Sequence, residues 1–213
     1  YSINHLNSRV LMASATHEWW IRLGVFAAMF ALMAFAERIA PARSVSACKR
    51  QRWFANLGLL GVNTLLVRLL FPGAAVGIAL LAERSGSGLL HIAPLPGAVA
   101  IVLSLLVLDL GIYLQHVLFH SMPALWRLHS VHHADVEFDV STANRFHPVE
   151  MLLSMLIKAA IILALGPPWV AVLIFEVLLN AAAVFNHANV RLPGPVERRL
   201  RWLIVTPDMH RIH

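Results

Sequence analysis

Charge is scarce in this 213-residue chain: Asp, Glu, Lys and Arg make up 13% of it, against about 25% in an ordinary soluble domain. Cysteine is almost absent. Cys48 stands alone, which excludes an internal disulfide, and a lone thiol is neither a zinc nor an iron–sulfur signature. No glycine-rich nicotinamide or flavin fingerprint follows a strand-like run, so the chain brings no redox nucleotide site of its own. Internal repeats, low-complexity tracts and a composition break that would mark a second domain are missing too. What replaces charge is hydrocarbon: 59% of the residues are hydrophobic and the mean hydropathy is +0.70. Lipid is the solvent this composition suits. The net charge of +6 would raise nucleic acid as a partner for a soluble protein. Here the basic residues sit in short runs beside apolar segments, as membrane-flanking loops do, and no nucleic-acid partner is expected.

The apolar runs predict an all-α integral membrane bundle, one domain over 1–213, with spans at about 19–36, 53–82, 94–115 and 151–185. Trp19 and Trp20 suit a headgroup interface, and Glu37-Arg38 makes a poor signal-cleavage site. Pro72-Gly73 breaks the long second run, and Arg68 inside it must snorkel or find a partner. Gly166-Pro167-Pro168 divides the last run into a hairpin or two crossings with the same parity. Its first piece of about 15 residues reaches about 22 Å. Residues 1–16 are expected at the surface. Arg38, Arg43, Lys49, Arg50 and Arg52, and later Arg191, Arg198, Arg199 and Arg201, mark the cytoplasmic side. Charge and hydropathy alone therefore place every histidine cluster on one face, the cytoplasmic one.

Histidine is the abundant exception, with 12 residues, most of them between 116 and 213. His116-Val-Leu-Phe-His120 puts two imidazoles on one helix face. Asp109 and Tyr113 precede them at helical spacing, and an acid within a span is a functional candidate. Asp109 can accept the far N–H of a ligating histidine or pair with Arg68 or an interfacial arginine. His129-Ser-Val-His132-His133 places three imidazoles at i, i+3 and i+4, an arrangement that repels itself when protonated and not when it holds metal. His187 follows an apolar run, and His210-Arg-Ile-His213 follows Asp208, an expected N-cap. A single HxxxH arises readily by chance, and a lone histidine is more often a satisfied polar group than a ligand. Clusters that all fall on one membrane face are not so easily dismissed. His5, His17 and His91 belong to no cluster. Imidazole suits zinc, copper, iron and nickel. Zinc needs three or four protein ligands, whereas the clusters offer about eight, enough for two metals, and an all-nitrogen dinuclear set favours redox iron over hydrolysis. A membrane zinc hydrolase, a metal transporter and a haem electron carrier are the competing readings. Transporters hold ligands near the midplane in broken helices, and paired haem ligands would leave several boxes unexplained.

The order HxxxH, HxxHH, isolated His, HxxH resembles the fatty acid hydroxylase / sterol desaturase superfamily of membrane-bound non-haem di-iron enzymes. Asp135–Glu150 and Asn186–His213 look like its bacterial sterol desaturase branch, and the likeness extends over about residues 109–213. The resemblance implies that His116, His120, His129, His132, His133, His187, His210 and His213 ligate two irons in a histidine-rich di-metal cap. It implies an O2-dependent oxidoreductase of the bacterial inner membrane that hydroxylates or desaturates an aliphatic C–H of a sterol, fatty acyl or related lipid. Electrons would come from a ferredoxin or a cytochrome b5-type carrier. His147 and Glu150 match a family segment, as an extra ligand, as groups behind the ligands, or as the start of a helix. The family's last box ends in a histidine pair whose second member would follow His213, so truncation there is expected.

Overall fold

The computed structural model describes residues 2–44, 48–135 and 137–213, with side chains from Glu18 onward. The side chains of 1–16, His5 and His17 thus lie outside the described residues. Helix α1 (Ser2–Ile39) is followed by α2 (Lys49–Leu70), α3 (Ala74–Ser85) and the single turn α4 (Leu89–Ile92). Phe71-Pro72-Gly73 separates α2 from α3: Pro72 cannot donate to a continuous ladder, and Phe71 leaves helical geometry with φ −131° and ψ 75°. Then come α5 (Gly97–Ser121) and α6 (Pro123–His133), a 3₁₀ turn (Val140–Asn144), α7 (Pro148–Leu165), α8 (Trp169–Asn186), α9 (Gly194–Leu200) and α10 (Pro207–Arg211). Among the described residues there is no strand, only an isolated bridge between Pro41 and Val190.

Among the described residues, five helical segments are long and apolar enough to cross a membrane: Glu18–Ile39, Lys49–Ile92, Gly97–Ser121, Pro148–Leu165 and Trp169–Asn186. The chain is an all-α integral membrane bundle. Helix α7 is longer than the apolar run alone suggests. His147 caps it and Pro148 starts it, giving 18 residues, or about 27 Å, close to the hydrocarbon thickness of a bilayer. Helix α5 likewise continues past its apolar run, so His116 and His120 occupy its last turns.

The bundle core joins α3, α5, α7 and α8 through Ala75, Val76, Ala79, Leu108, Met155, Ile162, Val172 and Phe175. Small residues on α3 let the backbones approach, which is how helices gain contact where water is absent. At the far end, Gly166 closes α7 with φ 66°. A Cβ on Gly88 would collide with the backbone of Gly166, so both positions demand glycine. A second cluster seats Val140 and Ala143 of the 3₁₀ turn against Val184, Phe26, Phe30 and Trp53. That turn belongs to a cap at the end of the bundle where the histidines gather.

Candidate metal centre

Box one ends α5 and box two lies on α6. Met122 between them is extended (φ −99°, ψ 119°) because Pro123 follows. The chain therefore turns sharply there, and the two boxes face each other. His187 follows α8 and His210 lies on α10, which packs against α8. Eight of the predicted ligands meet here. His116, His120 and His213 form one group, His120, His129 and His133 a second, and His132, His187 and His210 a third, with the ligand nitrogens of each group within 4.8 Å of one another. Since His120 is shared, the rings divide into a pool of five and a pool of three. The pools touch where His129 stacks on His132, at 5.3 Å between centroids.

The three residues of box two do not act as one face. His129 and His133 join one pool and His132 the other. Successive residues on a helix point about 100° apart, so His132 and its neighbour His133 address different centres.

The backs of three rings are fixed. His129 Nδ1–H donates to Glu150 Oε1 at 2.6 Å, His132 Nδ1–H to the Arg145 carbonyl at 3.1 Å, and His187 Nδ1–H to the Ala183 carbonyl at 2.7 Å. These acceptors fix the tautomer and leave each Nε2 as a lone pair. Yet His132 Nε2 faces His187 Nε2 at 2.9 Å, and His187 Nε2 faces His210 Nε2 at 2.9 Å. His129 and His133 approach through Nε2 at 3.2 Å, and His116 and His213 at 2.7 Å. Between His132 and His187, where both Nδ1 atoms carry the proton, the two lone pairs repel at this distance unless a cation lies between them. A proton is a poor choice. Burial, aided by the neighbouring imidazoles, holds His132 well below the ordinary histidine range, His133 at about 4 and His210 at about 2. Burial holds His187 at about 4. A metal ion suits the spacing. Two nitrogens each about 2.1 Å from one ion, at right angles, are about 3.0 Å apart. His120 Nε2, buried with no hydrogen-bond partner, is a further donor of the kind such an ion takes. The donor set fits metal.

Glu150 Oε1 meets His129 Nδ1, and the residue lies in the first turn of α7. His147 is not brought to the cluster. Its Nδ1 accepts from Val149 N–H at 3.1 Å as the N-cap of α7. Asp109 faces outward on α5 with no hydrogen bond or ion pair among the described residues, about 10 Å along the axis from His116. It neither orients a histidine nor meets Arg68, which stacks instead over Trp19. Thr206, not Asp208, caps α10 by accepting from Met209 N–H, and Asp208 pairs with Arg211 at 2.7 Å.

Several residues behind the centre carry no ligand pattern. Arg145 Nε donates to the Val131 carbonyl at 2.7 Å and its Nη1 to Asn56 at 3.0 Å. This holds the Arg145 carbonyl against His132. Phe146 stacks on His132 at 4.5 Å and 5°. Asp135 accepts both guanidinium arms of Arg52, at 2.7 and 2.9 Å, and Thr142 at 2.7 Å. These contacts outweigh burial and hold its carboxyl at about 2. Glu37 accepts from Val140 N–H and Asn189 N–H at 2.7 and 2.8 Å, tying α1 to the cap. The signal available in the sequence was the acid run Asp135, Glu137, Asp139, which needs basic partners. Arg52 supplies them rather than marking only a membrane flank.

A helical membrane bundle with two pools of imidazoles at one end defines a class of membrane metalloprotein. Residues 101–213 match the fatty acid hydroxylase family, and the chain belongs to that family. Over 210 residues it is 27% identical to an ornithine lipid hydroxylase, OlsE, from Rhizobium tropici, covering 94% of this chain and 61% of that protein. Over 111 residues it is 28% and 32% identical to alkylglycerol monooxygenases from Xenopus tropicalis and Danio rerio, covering 52% of this chain and 24% of each relative. The chain thus spans about three fifths of the first relative's length and a quarter of the other two. No solved structure matches it significantly.

Proposed function

We propose that the protein is an O2-dependent non-haem di-iron oxidoreductase that hydroxylates or desaturates an aliphatic C–H of a membrane lipid. The observation that carries this reading is the pair of adjoining pools of Nε2 lone pairs, three of them fixed by Nδ1–H donors. His116, His120, His129, His133 and His213 would hold one iron, and His132, His187 and His210 the other. Bound iron would supply O2 reduction and hydrogen abstraction from carbon. The chain orients the imidazoles through Glu150 and the carbonyls of Arg145 and Ala183, as backing groups do in metal sites generally. It keeps His132 and His187 buried, at 4% and 3% exposure, so water is kept from that pool. Residues 1–213 act as a single membrane domain, with the histidines on the cytoplasmic side of a bacterial inner membrane. Electrons come from a ferredoxin or cytochrome b5-type carrier, for which Arg198, Arg199 and Arg201 offer a basic surface. Family membership and the names of the relatives support the lipid substrate.

The test is incubation of membranes bearing the protein with isotopically heavy O2, a reducing system and the host lipid extract. A lipid that gains one heavy oxygen atom identifies hydroxylation, and one that loses two hydrogens identifies desaturation. Neither change, in membranes whose protein carries iron, would refute the assignment.

A further inference from the structure

A cavity of about 360 Å³ runs between α1, α2, α7 and α8. At one end Phe146 lines it, the ring that stacks on His132. Deeper in, its wall is unexpectedly polar for the inside of a membrane bundle: Arg22, Arg68, Lys158 and Glu176. Lys158 lies ten residues into α7 and Glu176 ten residues before the end of α8, each about 15 Å from the histidine end. Charges so placed are costly and are kept for a purpose.

The charges do not balance. Glu176 Oε1 accepts from Lys158 Nζ at 2.7 Å, and its Oε2 forms an ion pair with Arg22 at 2.7 Å, so one acid serves two cations. Glu18, buried nearby, is the other acid whose field reaches Arg22 and Arg68. Arg68 itself has no salt bridge among the described residues; its guanidinium rests 3.3 Å over the Trp19 ring. Three cations against two acids leave one positive charge. Hydrogen bonding is incomplete elsewhere in the cavity, toward Phe146. Asn144 Nδ2 and Asn63 Oδ1 are buried without partners, on side chains 8% and 3% exposed, and both residues line the cavity. An alkyl tail would leave the Arg68 donors unmet. A group with acceptor oxygens and one negative charge would satisfy them and neutralise the excess.

We propose that this cavity binds the acidic head, a carboxylate or a phosphate ester, of a lipid amphiphile, with Arg68 as its principal partner. The head then lies deep in the bundle, and the part of the lipid presented toward His132 is about 15 Å along the molecule from the head. The proposal builds on the lipid-oxidising reading and names its substrate class.

The test is equilibrium binding of four probes to the metal-loaded protein in zwitterionic nanodiscs: dodecanoate, dodecyl phosphate, dodecanol and dodecyltrimethylammonium. At least one anionic probe is expected to bind about tenfold or more tighter than the neutral and cationic ones, as one added charge pair allows. The tighter of the two anions distinguishes a carboxylate from a phosphate head. Arg68→Gln should abolish the preference and Arg68→Lys retain most of it, with metal content unchanged in both. Thr64→Asp, which puts an acid one helical turn from Arg68 on the cavity wall, should abolish it with Arg68 in place, so the test survives if Arg68→Gln fails to fold. Equal binding of all four probes, or an anion preference untouched in the folded variants, overturns the proposal. Anion selectivity in a protein that takes up no O2 would instead refute the oxidase reading and leave this site standing.

Discussion

Replacing Glu150 should weaken metal binding in steps that follow its hydrogen bond. Glu150 is 4% exposed, and its Oε1 accepts from His129 Nδ1–H at 2.6 Å. Glu150→Gln keeps an oxygen acceptor at that place but removes the charge that makes the imidazole a stronger donor to metal. Glu150→Ala leaves a buried N–H with no partner and frees the ring to rotate. A hydrogen bond to a charged group contributes about 1.5–3 kcal/mol, and loss of such backing groups lowers metal affinity about 10–100-fold. The glutamine variant is therefore expected near the tenfold end and the alanine variant near the hundredfold end. The assay is competition for the metal with a chelator of known affinity in detergent, with helix content checked by circular dichroism. Equal, wild-type affinity in both variants would refute the claim that Glu150 prepares His129 for a ligand role.

Arg52→Gln strips Asp135 of its bidentate partner; Asp135 is 3% exposed and Arg52 14% at the side chain. Breaking a buried pair on one side costs about 3–5 kcal/mol, to be read as a lower thermal midpoint of the metal-free protein, and an unchanged midpoint would contradict the bracing role. Acid should release metal and loosen the cap together. With His133 and His187 held at about 4 in the fold, against about 6.5 in the unfolded chain, the unfolded state binds more protons between those values. Stability is thus full above about pH 6.5 and falls toward pH 4, which a pH series of metal content and thermal midpoint checks. Gly88→Ala places a methyl against the Gly166 backbone at φ 102° and should cost about 1–3 kcal/mol, with no effect on metal content in whatever fraction remains folded.

Much of the cap was legible because it is written in short-range pattern. The HxxxH and HxxHH spacings place rings on a helix face, and Met122-Pro123 forces the turn that sets α5 against α6. The break at Pro72-Gly73 follows from the missing proline donor. What spacing cannot carry is partnership across the chain. Arg52 and Asp135 are 83 residues apart and Glu37 and Val140 are 103 apart, so neither pair leaves a local trace. The same reason explains the misplacement of Asp109. Its residue type and its helical spacing to His116 point to a role, and only the direction of its face, set by which helices flank α5, turns it outward. His147 shows a polar residue diverted to capping because Pro148 starts a helix behind it. The assignment of adjacent His132 and His133 to different pools depends on where α8 and α10 bring His187 and His210.

The central claim is that these imidazoles hold two irons that consume O2. The direct measurement is metal per chain in iron-supplied preparations of the protein, together with reductant-dependent O2 uptake. About two irons per chain, lost with the uptake in the His132→Ala/His133→Ala double variant, is the predicted result. Stoichiometric zinc with no O2 uptake would contradict it.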